Sequence, residues 1–589
     1  MEKKEVSFFQ KSKRILQYAK PYWHVIFWLF VLSAVLALLS LVGPYLVKIL
    51  IDDVIVGQDL QLLFTIMVIF IGIFLLKTII QVYYNYKTEA LEETVVLDVK
   101  KELFQHLEHL DLGFLYSKQL GDILVRVDED VYGIQSFINI IIDGIVMNFL
   151  LTLFILIICL HLNWRVTLAS LTFFPFYIFA QKYFGEKIKQ QKKVVIEKDA
   201  ALLSFIQEGI TSIKAIKEFL LEKLALHRYT TKTRELIKQD LRLNLLSSYS
   251  TAIVGFITFT PLLIILWYGS FKVITGALTI GSLMALYTYI GKLFGPISNL
   301  GSINVAIQSA FVSVDRVFEF LDTKPKIQDK PNARLLRKVY GGIVLDHVSF
   351  GYDKDIVLEN ISFTIKPGEK IGLVGPSGAG KTTIANLACR FYDPLKGRIL
   401  LDGIDVRDIQ LKSLRKHIGI VSQDIILFNA TIKENIKFGN IHASDEQVME
   451  AAKLANIHDF ITNLPKGYNT IVGERGVNLS GGEAQRLSIA RTILKSPSII
   501  ILDEGTSALD SETEQKIQES FDYVTKGKTT IIIAHRLATL KNADKILVLK
   551  DKKIVEQGSF SSLIKKQGLF SRYYKLQFKM PIAPKIPVR

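Results

Sequence analysis

The sequence predicts a membrane all-α domain of six spans followed by an α/β phosphate-loop NTPase domain. Three observations predict it. Six runs of apolar residues occupy the first half of the chain, most of them near the length a helix needs to cross a bilayer. Gly375-Pro376-Ser377-Gly378-Ala379-Gly380-Lys381-Thr382 is a complete G-x-x-x-x-G-K-[ST] phosphate loop. Ile499 to Leu502 then reads as a buried strand ending on the acidic pair Asp503-Glu504.

At the N-terminus, Phe8, Phe9, Ser12, Ile15, Leu16 and Ala19 recur at helical spacing, with Lys11, Lys13 and Arg14 on the other face. This is the pattern of an amphipathic helix lying in a membrane interface. The apolar runs follow near residues 21–47, 61–83, 134–162, 164–181, 251–271 and 273–291. A helix needs about 20 residues to cross roughly 30 Å of hydrocarbon, so six spans are expected. The first run is too long for the apolar region of a cleavable signal and is expected to stay as an anchor.

Loop charge sets orientation. The leader carries Lys3, Lys4, Lys11, Lys13, Arg14 and Lys20, whereas the connection after the first span carries Asp52, Asp53 and Asp59, which places the N-terminus inside. The long basic connections at 87–130 and 186–242 belong on that same cytoplasmic side. The short one around His161-Leu162-Asn163-Trp164 and the nearly uncharged one at 269–278 belong outside. With six spans both termini are cytoplasmic, and a bacterial inner membrane is the expected location.

In the sixth span Thr288, Lys292, Gly295, Asn299 and Ser302 share one helical face, the pattern of a wall facing a wet cavity. Thr288, Lys292 and Asn299 are its candidate cavity residues. A lysine at the bilayer centre costs about 2.5 to 3.5 kcal/mol, so Lys292 is expected to face water, a carboxylate or cargo, or to snorkel outward.

Beyond this span the chain turns polar and proline-punctuated. The resulting division is a transmembrane domain over 1–322, a linker over 323–340, and a nucleotide-binding domain with a C-terminal tail over 341–589.

Composition narrows the function classes. Among 589 residues, 49% are hydrophobic, too apolar a balance for a chain made only of ordinary soluble domains. The net charge of +16 is explained by basic loops held at the cytoplasmic face and does not call for a nucleic-acid partner. Two cysteines, Cys159 and Cys389, supply neither a disulfide framework nor metal-ligand spacing.

The phosphate loop sits where its chemistry needs it, between a strand at Lys370–Val374 and a helix that begins at its C-terminal end. Glycines let backbone N–H groups close around phosphate oxygens, and Lys381 reaches the β/γ-phosphates. Thr382 offers a hydroxyl to Mg²⁺, Asp503 joins the Mg²⁺ shell, and Glu504 polarises the attacking water. ATP and Mg²⁺ are therefore the expected cofactors.

Leu479-Ser480-Gly481-Gly482-Glu483, together with six spans and one ATPase domain, resembles the half-transporters of the ATP-binding cassette exporter family over nearly the whole chain. The resemblance implies that Tyr352 stacks on adenine, that Gly375 through Thr383 hold the phosphates, and that Gln423 senses Mg²⁺ and water. It makes His535 the switch histidine at the γ-phosphate. It assigns Ser480, Gly481, Gly482 and Glu483 to the signature that meets a partner's ATP, and Ser507-Ala508-Leu509-Asp510 to signalling between paired sites. Val472-Gly473-Glu474-Arg475-Gly476 resembles an exporter segment that touches the membrane domain. Gly121–Arg126 and Glu208–Lys217 resemble the two coupling regions. Glu483 departs from the glutamine usual there, and Gly505 from the usual alanine.

A single cassette then implies a dimer, most simply a homodimer, with a heterodimer as the alternative. The implied activity is ATP-driven export or flipping of an amphipathic drug, lipid or peptide. An importer or ATP-gated channel on the same scaffold is the second reading.

Overall fold

The computed structural model describes residues 8–118, 120–352, 355–473, 479–503, 511–534 and 537–578. They form two compact units, Met1–Glu108 with Leu120–Asp322, and His109–Gln119 with Thr323–Arg589.

The N-terminal half is helical: α1 (Phe8–Ala19), α2 (Trp23–Ile49), α3 (Leu60–His109), α4 (Leu112–Ser117), α5 (Leu120–Asp128), α6 (Tyr132–Asn139), α7 (Asn148–Leu171), α8 (Phe174–Thr211), α9 (Ile213–Glu218), α10 (Glu222–Ile264), α11 (Ser270–Ile274) and α12 (Ile280–Leu321). Among the described residues, five helical stretches are long and apolar enough to cross a membrane: Gln10–Ile55, Leu60–His109, Leu120–Leu171, Glu222–Ile274 and Ile280–Leu321.

The expected span at 164–181 is divided between two helical elements. Its first part ends α7, past a break at Asn163, where φ −163° and ψ 101° interrupt the helix. Asn163 Oδ1 accepts from the Val166 N–H at 3.1 Å and so starts the next turn. The remainder opens α8, where Lys182, Glu186, Lys187 and Lys189 soon dilute the apolar run. The break falls at the short connection expected around His161–Trp164.

α12 is the spine of this unit. Leu286, Tyr289, Ile290 and Leu293 are buried against Leu41, Ile155, Cys159 and Ile265 from the surrounding helices. Outward-facing Trp28, Phe64, Phe74 and Trp267 remain exposed, as lipid-facing side chains are. At the N-terminus α1 buries Ile15 and Ala19. Arg14 lies 3.9 Å over the Phe318 ring and donates to both oxygens of Asp322 at 2.6 and 2.7 Å, which pins α1 to the end of α12.

The second unit is α/β. Its elements are β1 (Ile343–Tyr352), β2 (Asp355–Ile365), β3 (Lys370–Val374), α13 (Lys381–Ala388), β4 (Lys396–Leu401), β5 (Ile404–Asp405), α14 (Leu411–Lys416), β6 (Ile418–Val421), β7 (Ala430–Thr431), α15 (Ile432–Lys437), α16 (Asp445–Leu454), α17 (His458–Thr462), β8 (Ile471–Val472), α18 (Gly481–Lys495), β9 (Ile499–Asp503), α19 (Ser511–Thr525), β10 (Thr529–Ile533), β11 (Lys545–Lys550), β12 (Lys553–Gly558), α20 (Phe560–Lys565) and α21 (Leu569–Gln577).

The larger sheet runs β12-β11-β3-β10-β9-β6 and is parallel except at β12. A smaller antiparallel sheet runs β2-β1-β4-β5. One core joins them, with Phe350 and Ile365 from the smaller sheet, Leu373 and Ile531 from the larger, and Ile384 from α13. Ligands of such parallel sheets bind beyond the carboxyl ends of the strands, and the chemistry-bearing residues emerge there.

Candidate active site

Strand β3, flanked by β10 and β11, delivers the chain into the phosphate loop. Two glycines are fixed by packing. A Cβ on Gly375 would lie 2.4 Å from the Leu549 carbonyl oxygen, and one on Gly380 would lie 2.5 Å from Leu358 Cδ2. Gly380 also holds φ +93°, a conformation that strains other residues. It caps α13, so the first N–H groups of that helix open onto the loop. Ala379 is buried beneath the loop while Pro376, Ser377 and Gly378 are exposed along its rim.

Lys381 is only 6% exposed. Its Nζ donates to the Gly375 and Pro376 carbonyls, both at 2.9 Å, folding the ammonium back over the loop. Burial holds its pKa below the ordinary lysine range, and the Asp503 carboxylate works against that shift. A buried cation whose main partners are neutral carbonyls is suited to phosphate oxygens.

Thr382 Oγ1 donates to Asp503 Oδ2 at 3.3 Å, joining the start of α13 to the end of β9 across 121 residues of sequence. Hydroxyl and carboxylate are hard oxygen donors. They fit Mg²⁺, which takes one or two carboxylates plus phosphate oxygens and water. No group of three or more His, Cys, Asp or Glu that could hold a metal ion occurs among the described residues, and an ion bound largely through phosphate does not need one.

Tyr352 ends β1 with its ring edge-on to Phe350 at 5.0 Å and to Tyr392 at 5.2 Å. Its hydroxyl lies 3.4 Å from Thr383 Oγ1, so the ring stands beside the phosphate-loop helix, 38% exposed. Gln423 is exposed two residues beyond β6, the strand that pairs with β9.

The structure thus brings Tyr352, the loop, Lys381, Thr382, Thr383 and Asp503 together. Glu504 and His535 lie outside the described residues, as do Ser507–Asp510 and Glu474–Gly476. The strands preceding Glu504 and His535 are neighbours, with Asp503 opposite Ile533.

The signature forms its own device. Ser480 caps α18, its Oγ accepting from the Glu483 N–H at 3.3 Å while Glu483 Oε2 accepts from the Ser480 N–H at 2.8 Å. The pair is a complete capping box, which glutamate fills as well as glutamine. Gly481 is exposed and Gly482 buried at its start.

In the membrane unit Lys292 is exposed and its Nζ lies 3.4 Å from the Ser40 carbonyl. Pro44, four residues on, has no N–H for that carbonyl, so the lysine serves an acceptor the helix itself leaves open. Tyr289 donates from its hydroxyl to the next carbonyl, Leu41, at 2.5 Å. Thr288 bonds within its own helix to Met284 at 2.9 Å, and Asn299 donates to Asn148 at 3.2 Å. No carboxylate hydrogen bond or ion pair with Lys292 is found among the described residues.

Sequence reasoning missed two polar clusters. Asp52 reaches from the end of the first span to the start of α12, accepting from the Gly281 N–H at 2.7 Å and the Thr279 hydroxyl at 2.5 Å. Glu92 accepts from Gln135 and Asn139, both at 3.0 Å, and lines a cavity of about 620 Å³. Asp143, one turn from Asn139, accepts from Tyr84. Tyr84, Thr88 and Glu92 at intervals of four were the available signal.

The part of the first connection that clusters with the cassette is His109–Gln119, just before the expected Gly121. There a Cβ on Gly113 would sit 3.3 Å from Tyr392, and Asp111 accepts from the Lys326 N–H at 3.1 Å. In the second connection α9 stands at Ile213–Glu218, overlapping the expected stretch Glu208–Lys217.

Comparison with known proteins shows the family. The family model described as ABC transporter transmembrane region matches residues 26–297, and that described as ABC transporter matches 358–507. A Bacillus subtilis (strain 168) protein, provisionally named a multidrug export ATP-binding/permease protein, is 37% identical over 574 residues, covering 96% of this chain and 99% of its own. An ATP-dependent lipid A-core flippase of Syntrophus aciditrophicus (strain SB) is 34% identical over 567 residues, covering 96% and 94%. A solved structure titled as a bacterial Atm1-family ABC exporter with ATP bound aligns with a TM-score of 0.78 at 31% identity, over 95% of this chain and 98% of that one.

Proposed function

Because the chain belongs to the ATP-binding cassette transporter family, we propose that it is half of a dimeric ATP-driven exporter or flippase that moves an amphipathic drug, lipid or peptide by alternating access. It is an integral membrane protein, and its cassette binds ATP and couples hydrolysis to transport. One observation carries the reading. The Lys381 ammonium, the Thr382 hydroxyl and the Asp503 carboxylate converge at the carboxyl ends of a parallel sheet, in a chain with five membrane-long helical stretches.

In this mechanism backbone N–H groups of the loop and Lys381 hold the β/γ-phosphates, and Tyr352 presents its ring to the base. Thr382, Asp503 and Gln423 would hold Mg²⁺, which when bound offsets phosphate charge. Glu504 takes a proton from the attacking water, and His535 contacts the γ-phosphate. Ser480, Gly481, Gly482 and Glu483 complete the site of the second subunit, so a homodimer carries two such sites; pairing with a different half-transporter is the alternative.

ATP closes the cassettes only through its higher affinity for the closed state, and hydrolysis resets them. Thr288, Lys292 and Asn299 line the passage. The basic loops keep both termini in the cytoplasm of a bacterial cell, with the spans in its inner membrane.

Glu504→Gln tests this reading: ATP binding persists, turnover is abolished, and closed dimers accumulate. Substantial residual hydrolysis would remove Glu504 from its role. ATPase stimulation of the reconstituted protein by a panel of lipids, peptides and amphiphilic drugs sorts the cargo classes.

A further inference from the structure

The C-terminal helix α21 is tied down at both ends. At its start the Glu556 carboxylate accepts from the N–H groups of Leu569 at 2.7 Å and Phe570 at 3.1 Å. Phe570 is fully buried, in one cluster with Val374, Ala534 and Leu537. Val374 is the residue before the phosphate loop, and Ala534 and Leu537 bracket the stretch that carries His535. At the far end Gln577 Oε1 accepts from the Leu537 N–H at 2.9 Å. Tyr573, Leu576 and Gln577 also line a groove with Gly375 and Pro376. The same short helix therefore braces the outer side of the loop and the backbone just past the histidine, although nothing in its sequence resembles a nucleotide motif.

We propose that Gln577 is a positioning residue for ATP turnover, its side-chain carbonyl fixing the backbone beyond His535 so that α21 governs the rate of hydrolysis and leaves nucleotide affinity to the phosphate loop. The inference rests on the proposed role of His535 at the γ-phosphate. A hydrogen bond to a backbone N–H contributes free energy that corresponds to about a three- to tenfold change in rate when it is felt only at the transition state.

The test compares two substitutions of similar length in the full-length, reconstituted protein. Gln577→Met removes the acceptor, and Gln577→Glu retains it. The expected result is a kcat for ATP about three- to tenfold lower in Gln577→Met with KM unchanged, and a rate returned toward the parent in Gln577→Glu. A parental kcat in Gln577→Met, a KM that rises in step with the loss, or a glutamate variant as slow as the methionine one each overturns the proposal. His535→Ala run alongside separates the two readings: if it turns over normally, the histidine's role fails, whereas a slow His535→Ala beside a parental Gln577→Met sinks the positioning role alone.

Discussion

Lys381 is a buried cation whose two close hydrogen-bond partners are neutral carbonyls. Burial opposes its charge, so in the absence of ligand the ammonium contributes little net stability. In the proposed mechanism phosphate oxygens supply the missing counter-charge. Lys381→Met should therefore leave the melting temperature without nucleotide within a few degrees of the parent while abolishing the shift that ATP produces. That shift corresponds to about 2.7 kcal/mol at a ligand concentration 100 times Kd. A thermal scan with and without ATP checks it, and an ATP-induced shift retained by the variant would falsify the lysine's role. The convergence of Lys381, Thr382 and Asp503 was legible in the sequence because a strand–loop–helix order and a strand-end acid fix their placement locally. Tyr392 beside Tyr352 was not, because that contact joins a strand to a position 40 residues later and no periodicity reports it.

At the level of elements, helix starts decide more than helix middles. The signature departs from its family pattern at Glu483, yet the structure gives that residue a local task, since its carboxylate accepts from the Ser480 N–H while Ser480 returns the bond. Glu483→Gln should preserve the box and leave stability unchanged. Glu483→Ala should cost about 1 kcal/mol, read as a fall of about 2–4 °C in the melting of a domain of this size. Equal melting of the two variants would show the box to be idle. Amphipathic faces and apolar runs were readable because each is local to one segment. The break at Asn163 separates two helices where the sequence places a short connection, whereas the Asp52 cap on α12 was invisible because its partners lie 227 and 229 residues away. The packing of residues 111–117 within the cassette unit was hidden for the same reason: they carry no strong pattern, and their neighbours Tyr392 and Lys326 lie more than 200 residues away.

For the molecule as a whole, the proposed function requires that each ATP site draw its phosphate loop from one subunit and its signature from another. That geometry is testable by genetics of the site itself. In a homodimer of Lys381→Ala both sites lack a working loop, and in a homodimer of Ser480→Phe both lack a working signature. A mixed dimer of the two concentrates both defects in one site and leaves the other with an intact loop and an intact signature. Co-reconstitution of the two variants should therefore restore ATP hydrolysis that neither shows alone. A chain carrying both substitutions, mixed with the parent, gives the opposite arrangement, one defect in each site of every mixed dimer, and should lower the parent's activity. If sites were built within a single subunit, the first mixture would stay silent and the second would only dilute the parent. The two mixtures thus move in opposite directions only when the sites are shared, and a silent first mixture with normally assembled mixed dimers would remove the dimeric site from the mechanism.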